Sequence, residues 1–358
     1  MDNDGDPEAR PFQVLRSTWQ PVALSRDLKA GGIISYRLLD EDIVVARMPS
    51  GLAAYKDGCP HRGARFGLGK VVGDHLQCPY HGWRFDRGGQ CRLIPSLGEG
   101  SAVARSAKVA SYAVAERYGF VWVRLEDREA CPIPAIPEFE DPAWTYVVAE
   151  PTPFGAGFRR EIENYLDMSH FAFAHADTLG KAAIALIDKY QVTEYPDGFQ
   201  MDAAFPALST EGAAISKLQQ AHDRVQRCHM PNVTTIRQRF HDGQERVLVH
   251  VPSPNTRTSC TVFWSIAISP GFQGPAPDQQ MAFAVRVLDE DRVMCENQRP
   301  LEVPMRSEAC RYVPADRLAL TYRKMFAGFC AAAPAIPADS APAAGCAHPS
   351  GAGAAISG

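Results

Sequence analysis

Short apolar runs separated by turn residues dominate the first 130 positions of the chain. Their alternation predicts strands over residues 20–24, 33–38, 43–47, 53–55, 103–109 and 120–125, with turns at residues 31–32, 40–42 and 49–51. Residues 57–92 interrupt this series with a stretch that is rich in Gly, His and Cys and has little periodicity. The order predicts an all-β domain whose inserted loops carry the candidate chemistry.

The pattern changes after a segment that contains Pro132, Pro134 and Pro137. Apolar spacing predicts helices over residues 160–176 and 314–330, and strands over residues 247–251, 260–268 and 281–287. Antiparallel strands packed with helices define an α+β domain. From residue 331 onward the chain is Ala, Pro, Gly and Ser with almost no charge, a composition that predicts disorder.

The sequence thus divides into a flexible N-terminus (1–12), an all-β domain (13–130), an α+β domain (131–330) and a disordered tail (331–358). Within the second domain, residues 177–226 are mixed in character and rich in Ala and Gly. We expect them to include a lid over a pocket.

Composition narrows the class of protein. The 358 residues are 46% hydrophobic and 22% charged, as in a globular protein, and the net charge of −4 argues against nucleic acid as the main partner. No apolar run approaches the roughly 18 residues that span a bilayer. The acidic start of the chain lacks the apolar segment of a signal peptide. We therefore expect a cytoplasmic protein without a membrane partner.

Two loops within residues 57–92 each combine one cysteine with one histidine. The first reads C-P-H-R-G and the second, sixteen residues later, reads C-P-Y-H-G-W. The candidate ligands are Cys59, His61, Cys78 and His81. A Rieske centre needs this set, because one iron of its [2Fe–2S] cluster keeps two Cys ligands while the other takes two His. A structural Cys2His2 zinc site is the alternative, although zinc fingers pair Cys with Cys and His with His within each half.

A second group of candidate ligands lies on the predicted helix 160–176. Asn164, Asp167 and His170 follow one another at intervals of three, and His175 comes five residues later. Non-haem Fe(II) oxygenases bind iron with two His and one carboxylate on one face, which leaves positions for O2 and substrate. At 3.6 residues per turn, His170 and His175 point about 140° apart, so both can bind one ion only if the helix is irregular near residues 171–174. Core packing of the two histidines is the alternative.

The carboxylate ligand must come from later in the chain. Asp289, Glu290 and Asp291 directly follow the apolar run 281–288, where a predicted strand would deliver a side chain into a pocket. We select Asp291 as the iron ligand. Asp289 and Glu290 are interpreted as solvated turn residues or helix N-caps.

These motifs resemble the Rieske non-haem iron oxygenases, in particular the α-only monooxygenase branch of vanillate O-demethylase oxygenase, dicamba monooxygenase and the methylxanthine N-demethylases. The resemblance covers about residues 18–326. It rests on the two Cys/His loops, on N-x-x-D-x-x-H-x-x-x-x-H from Asn164 to His175, and on E-D-x-x-x-x-E-x-Q from Glu290 to Gln298, whose acid aligns with Asp291. Cys295 and Asn297 are less typical of that segment.

The resemblance implies a β-sandwich Rieske domain followed by a helix-grip α+β catalytic domain. It also implies a homotrimer in which the cluster of one subunit faces the mononuclear iron of its neighbour, with Asp167 linking a cluster histidine such as His81 to His170. The simpler interpretation is that Asp167 only orients His170.

By the same resemblance, the chain is the terminal oxygenase that uses O2 to hydroxylate or oxidatively demethylate a small aromatic or heterocyclic substrate. Electrons come from a separate ferredoxin or flavin reductase, because the sequence shows no flavin or nicotinamide motif. The basic excess of the cluster loops is a candidate landing surface for that partner: Arg62, Arg65, Lys70, Arg84, Arg87 and Arg92, against Asp74 and Asp86.

Two other classes of protein stay open at this point. A pure Rieske electron carrier would leave the second domain unexplained, and a non-catalytic helix-grip binding protein would have no use for the His/Asp group. Iron content separates the three hypotheses at about three, two and no iron atoms per chain.

Overall fold

A computed structural model describes residues 9–176, 178, 190–204, 221–240, 242–305 and 310–334. The N-terminal domain contains helix α1 (Ala9–Val14) and strands β1 (Gln20–Leu24), β2 (Ile33–Leu38), β3 (Glu41–Met48), β4 (Gly51–Lys56), β5 (Lys70–Val72), β6 (His75–Gln77), β7 (Arg84–Phe85), β8 (Cys91–Leu93), β9 (Ser111–Arg117) and β10 (Phe120–Arg124). Six strands form one antiparallel sheet in the order β1-β10-β9-β4-β3-β2. Strands β5–β8 form a smaller sheet inserted between β4 and β9, so the predicted β domain with inserted loops is confirmed.

The strand predicted over residues 103–109 is wrong. Apart from one bridge between Gln90 and Lys108, this segment joins no ladder, and β9 begins only at Ser111. Val103, Ala107 and Val109 gave the strand-like pattern because they pack against the core of the small sheet. The segment covers that sheet with a turn, in which the Ala107 N–H donates to the Ala104 carbonyl (3.0 Å).

The C-terminal domain contains strands β11 (Thr145–Val148), β12 (Thr152–Phe154), β13 (Gln191–Tyr195), β14 (Gly198–Ala204), β15 (Ala221–His229), β16 (Val233–Phe240), β17 (Glu245–Thr256) and β18 (Ser259–Ile268), and helices α2 (Phe158–Leu166), α3 (Phe171–Ala174), α4 (Pro277–Asn297) and α5 (Arg317–Ala332). Its sheet has the order β11-β18-β17-β16-β15-β14-β13, with β12 also on β18, and all pairings are antiparallel. The predicted α+β class is confirmed.

Strand β17 shows how the large sheet lies between two layers. Alternate residues Val247, Val249 and Val251 are buried in one core together with Phe120 and Trp122 of the N-terminal domain. Leu248, on the opposite face, packs against the core that includes the helices. Because side chains alternate across a strand, one face of the sheet holds the first domain and the other holds the helices.

The strand predicted over residues 281–287 is also wrong, because this segment lies inside the 21-residue helix α4. The largely apolar character of this run suggested a strand. The decisive signal was the buried series Leu288, Asp291 and Cys295, whose spacing of three and four places all three on one helix face. Pro277 at the first turn is a further helix-start signal that the strand interpretation overlooked.

Two predicted boundaries are corrected. Helix α1 begins at Ala9, within the segment predicted to be flexible, and Arg10 donates to the last carbonyls of α5 at Cys330 and Ala333 (3.2 and 2.8 Å). Helix α5 continues to Ala332, two residues into the predicted tail. Residues 1–8 and 335–358 lie outside the described part of the chain.

The predicted lid, residues 177–226, is partly sheet. Strands β13, β14 and the start of β15 belong to it, and residues 177, 179–189 and 205–220 lie outside the described residues. Among the residues that the structure describes, none of the helices is long and apolar enough to cross a membrane.

Candidate metal centres

The two Cys/His loops have the same backbone design. In each, the cysteine N–H donates to the carbonyl five residues ahead, Cys59 to Ala64 (2.9 Å) and Cys78 to Trp83 (2.8 Å). The fourth residue after each cysteine is a glycine that donates back to the cysteine carbonyl and has a φ of +71°. An L-residue with a side chain rarely adopts this φ, so the glycines fix both loops in the same tight turn.

The donors of these loops divide into buried thiols and exposed rings. Cys59 and Cys78 are 3% and 2% exposed, whereas His61 and His81 lie at the surface with ring centroids 4.6 Å apart. Burial, together with the neighbouring Cys78, raises the pKa of the Cys59 thiol to about 12. The thiolate form that binds iron therefore needs a positive charge between the loops.

The spread of the four donors argues against zinc. Ligands of one tetrahedral zinc lie about 3.3–3.8 Å apart. Among the described residues, one group of at least three His, Cys, Asp or Glu side chains has ligand atoms that all lie within 4.8 Å of one another, and it consists of His170, His175 and Asp291. No three of the Cys/His donors therefore lie that close together. The four donors are thus too far apart to bind one zinc ion. In a Rieske cluster the two cysteines bind one iron and the two histidines bind the other, so the cluster itself separates the two pairs of ligands.

The second group of predicted ligands lies where helix α2 ends. The helix stops at Leu166, because Asp167 takes an extended conformation (φ −79°, ψ 142°), and a turn leads to the short helix α3. His170 and His175 flank α3 at its two ends. The predicted interruption therefore exists, but it lies at residues 167–170, ahead of the predicted 171–174, which are themselves helical.

Helix α4 brings Asp291 to the two histidines. The Nε2 atoms of His170 and His175 are 3.1 Å apart, and Asp291 Oδ1 lies 3.2 and 3.0 Å from them. Three ligands bound about 2.1 Å from one ion at right angles lie about 3.0 Å apart. Asn164 donates to the same oxygen at 2.6 Å and holds the carboxylate in place.

Each histidine turns its other ring nitrogen to a carboxylate. His170 Nδ1 lies 3.1 Å from Asp167, and His175 Nδ1 lies 2.7 Å from Glu290, which also accepts a hydrogen bond from Thr178 (2.5 Å). With the ring protons assigned to Nδ1, both Nε2 atoms present lone pairs to Asp291 Oδ1. Three lone-pair-bearing atoms at 3 Å repel one another, so the site fits a cation.

The electrostatics show that the triad favours positive charge, which a proton on His170 supplies when no metal is bound. Burial opposes the charged form of His170, but hydrogen bonds with Asp167 and Asp291 outweigh it and raise the pKa of His170 to about 9. Hydrogen bonds with His170, His175 and Asn164 overcome burial and lower the pKa of Asp291 to about 2. Asp291 is a full carboxylate at neutral pH, as an iron ligand must be.

The interpretation of Glu290 as a solvated residue or N-cap is wrong. Its carboxylate faces His175 and Thr178 in mid-helix, whereas Asp289 is exposed and pairs with Arg292 (3.0 Å). A helical interpretation of residues 277–297 would have placed Glu290 beside Asp291 on the inward side of α4.

Comparisons with known proteins identify the two domains that carry these residues. Residues 18–113 match the Rieske [2Fe–2S] domain, and residues 154–332 match the vanillate O-demethylase oxygenase C-terminal domain. The chain is 34% identical to methylxanthine N3-demethylase of Pseudomonas putida over 87% of its own length and 88% of that protein. It is 28% identical to the oxygenase component of dicamba O-demethylase from Stenotrophomonas maltophilia, covering 79% and 87%. The solved structure of Pseudomonas putida CBB5 NdmA with caffeine matches with a TM-score of 0.80 at 30% identity, covering 89% and 92%.

The chain belongs to the Rieske non-haem iron oxygenases, in the branch with a vanillate O-demethylase-type catalytic domain. It is an oxygenase of the monooxygenase and demethylase type. The electron-carrier and non-catalytic alternatives are therefore wrong, since the relatives that span both domains are oxygenases.

Proposed function

We propose that His170, His175 and Asp291 hold a mononuclear Fe(II) at which O2 is activated, and that Cys59, His61, Cys78 and His81 hold the Rieske cluster that supplies electrons. The observation that carries the iron proposal is the 3.0–3.2 Å triangle of two imidazole nitrogens and one carboxylate oxygen. Two histidines and one carboxylate leave coordination positions open for O2 and substrate.

The surrounding side chains hold this donor set in one protonation state. Asp167 and Glu290 keep the Nδ1 protons of His170 and His175, which leaves both Nε2 atoms free to bind metal. Asn164 stabilises the Asp291 carboxylate and limits its rotation. Ser169 donates to Asp167 through its backbone N–H and its hydroxyl (2.8 and 2.7 Å), so the orienting carboxylate is itself fixed.

The oxygenase acts as a homotrimer in which the cluster of one subunit faces the iron site of its neighbour. The exposed edges of His61 and His81 support this arrangement, and so do large exposed apolar side chains near both sites: Leu68, Tyr80, Leu97 and Phe173. Asp167 retains partial exposure although it already binds His170. It is therefore free to accept a second imidazole N–H from a partner subunit.

Electrons reach the cluster from a separate ferredoxin or reductase that docks beside the cluster loops. The basic landing surface is smaller than the sequence suggested, because Arg65 and Arg92 are paired with Asp42 and Asp86, and Arg87 binds two backbone carbonyls. Arg84 is half-buried and donates to Gln77 (3.0 Å). Of the six predicted cations, Arg62 and Lys70 are the exposed ones that remain for this role.

The substrate is a small aromatic or heterocyclic compound that is oxidatively demethylated or hydroxylated. Oxygen uptake by the iron-replete protein with a surrogate reductase tests this, using a panel of methoxy- and N-methyl-aromatics and aromatic carboxylates. We expect substrate-dependent O2 uptake with formaldehyde release from at least one methylated compound. A reducible, iron-replete protein that consumes no O2 with any of them would contradict the proposal.

A further inference from the structure

One row of side chains on the large sheet is charged although it faces the helices. Strands β15, β16 and β17 are neighbours, and their register places Arg224 opposite Gln238 and Gln238 opposite Arg246. Directly paired residues lie on the same face of a sheet. Contacts with Phe171 of α3 and Gln280 of α4 identify that face as the one covered by the helices. We refer to Arg224, Gln238 and Arg246 as the arginine row.

Arg246 is held by neutral amides. It donates from Nε and Nη2 to Gln238 Oε1, the Nε contact measuring 3.0 Å, and from Nη1 to Gln280 Oε1 at 3.3 Å. Within the described part of the chain, no carboxylate forms an ion pair with it. Arg246 and Arg224 are each 8% exposed, and burial lowers the pKa of each to about 10, with the charge of Arg224 adding to the effect at Arg246.

The positive charge of the arginine row does not extend into the next row of side chains, which is apolar on β16, β17 and β18. One step along the strands, Ile236, Leu248 and Ile266 face the same side in the same register. A buried guanidinium destabilises the fold unless an anion compensates its charge. Arg246 is such a group, because among the described residues it is held only by amide oxygens, and Arg224 adds a second positive charge two strands away. An anion would therefore stabilise this part of the sheet.

The arginine row lies beside the segment that carries the iron ligands. The guanidinium carbon of Arg224 is 5.7 Å from the Phe171 ring, and that ring is 4.9 and 5.7 Å from the rings of His170 and His175. An anion at the row therefore leaves the rest of a small molecule close to the metal-binding histidines. The guanidinium fork matches a carboxylate in geometry as well as charge.

We propose that the arginine row, together with Gln280, binds the carboxylate of the substrate, so that the enzyme prefers small aromatic or heterocyclic acids to uncharged rings. The identity of the bound molecule as a substrate rests on the proposed oxygenase function. The binding of an aromatic carboxylate at the arginine row does not depend on that function.

Binding is measured by calorimetry on the oxidised, metal-replete enzyme without reductant, which prevents turnover. The probes are the three methoxybenzoates and the three methoxybenzamides, which have the same shape without the charge. We expect at least one acid to bind on the order of 30-fold more tightly than its amide. Arg246→Met should remove that preference, and Arg246→Lys should retain part of it.

Arg239→Met is the matched control. Arg239 follows Gln238 on β16, faces the opposite side, and pairs with Glu245 and Asp223 at the surface. Its replacement should leave the affinity for the acid unchanged. Iron content and circular dichroism verify that each variant is folded. If Arg246→Met does not fold, the ratio of the wild-type affinities for acid and amide still shows whether the enzyme prefers the acid.

Failure of acid binding, equal affinity for acids and amides, or an unchanged preference in folded Arg246→Met would overturn the proposal. The oxygenase function is tested separately by supplying reductase and O2. Arg246-dependent binding of acids without any product would contradict the proposed function alone. Turnover restricted to uncharged compounds, without binding of acids, would contradict the anion site alone.

Discussion

The two candidate metal centres are built in opposite ways. The Cys/His quartet lies on two copies of one loop design within 23 residues of sequence, with its histidine rings at the surface. The His/Asp triad joins the end of α2 to the middle of α4, more than a hundred residues later, and both His175 and Asp291 are buried. Exposed rings suit electron entry and exit, whereas a buried triad with fixed protons suits reaction with a bound substrate.

The difference also explains how each site is stabilised. Glycine turns and backbone hydrogen bonds shape the quartet, so its geometry is local. The triad depends on side chains that hold other side chains, with Asp167, Glu290 and Asn164 each contacting one ligand. We therefore expect ligand substitutions to separate the two centres cleanly, and orienting substitutions to affect only the triad.

The largest effect is expected from the cluster ligands. Cys59→Ser or His81→Ala should abolish the Rieske EPR signal and the brown colour while the catalytic domain stays folded, because these ligands belong to local loops. EPR and circular dichroism after reconstitution provide the measurement. A full Rieske signal in either variant would show that the ligands are assigned wrongly.

Asp291→Ala should remove only the mononuclear iron. We expect about two iron atoms per chain, an intact Rieske signal and no product. Asp289→Ala is the control, since Asp289 is exposed and, within the part of the chain that the structure describes, pairs only with Arg292. If Asp289→Ala lost the iron while Asp291→Ala stayed active, the proposed ligand would be wrong.

Asp167→Asn should leave both metals in place and slow electron transfer between them by orders of magnitude. The amide fills the same space but cannot accept hydrogen bonds from two imidazoles with a full negative charge. Single-turnover experiments, started from reduced protein with O2 and substrate, follow cluster reoxidation. Wild-type reoxidation in this variant would restrict Asp167 to orienting His170.

Glu290→Gln should give the smallest effect. The neutral amide weakens the hydrogen bond to His175 Nδ1, and we expect iron affinity to fall about 10–100-fold, as for other residues that orient metal-binding histidines. Competition with a chelator measures this, with Asp289→Asn as the neighbouring control. Unchanged iron affinity would mean that Glu290 does not orient His175.

The two centres also differ in how much of each could be predicted from the sequence. The quartet was visible because all of its chemistry lies in two contiguous motifs. Asp291 was predicted from an acidic cluster that follows an apolar run and from its alignment with a family segment. That run, residues 281–288, was interpreted as a strand. The role of Glu290 depends on the side of a helix that it faces, and the arginine row depends on strand register, so neither could be inferred before the fold was known.

Metal analysis of the purified, reconstituted protein tests whether the chain holds a mononuclear iron in addition to the cluster. We expect about three iron atoms and about two sulfides per chain, with one iron removable by a chelator without loss of the Rieske EPR signal. About two iron atoms per chain, all of them lost together with the cluster, would contradict the presence of a separate mononuclear site at His170, His175 and Asp291.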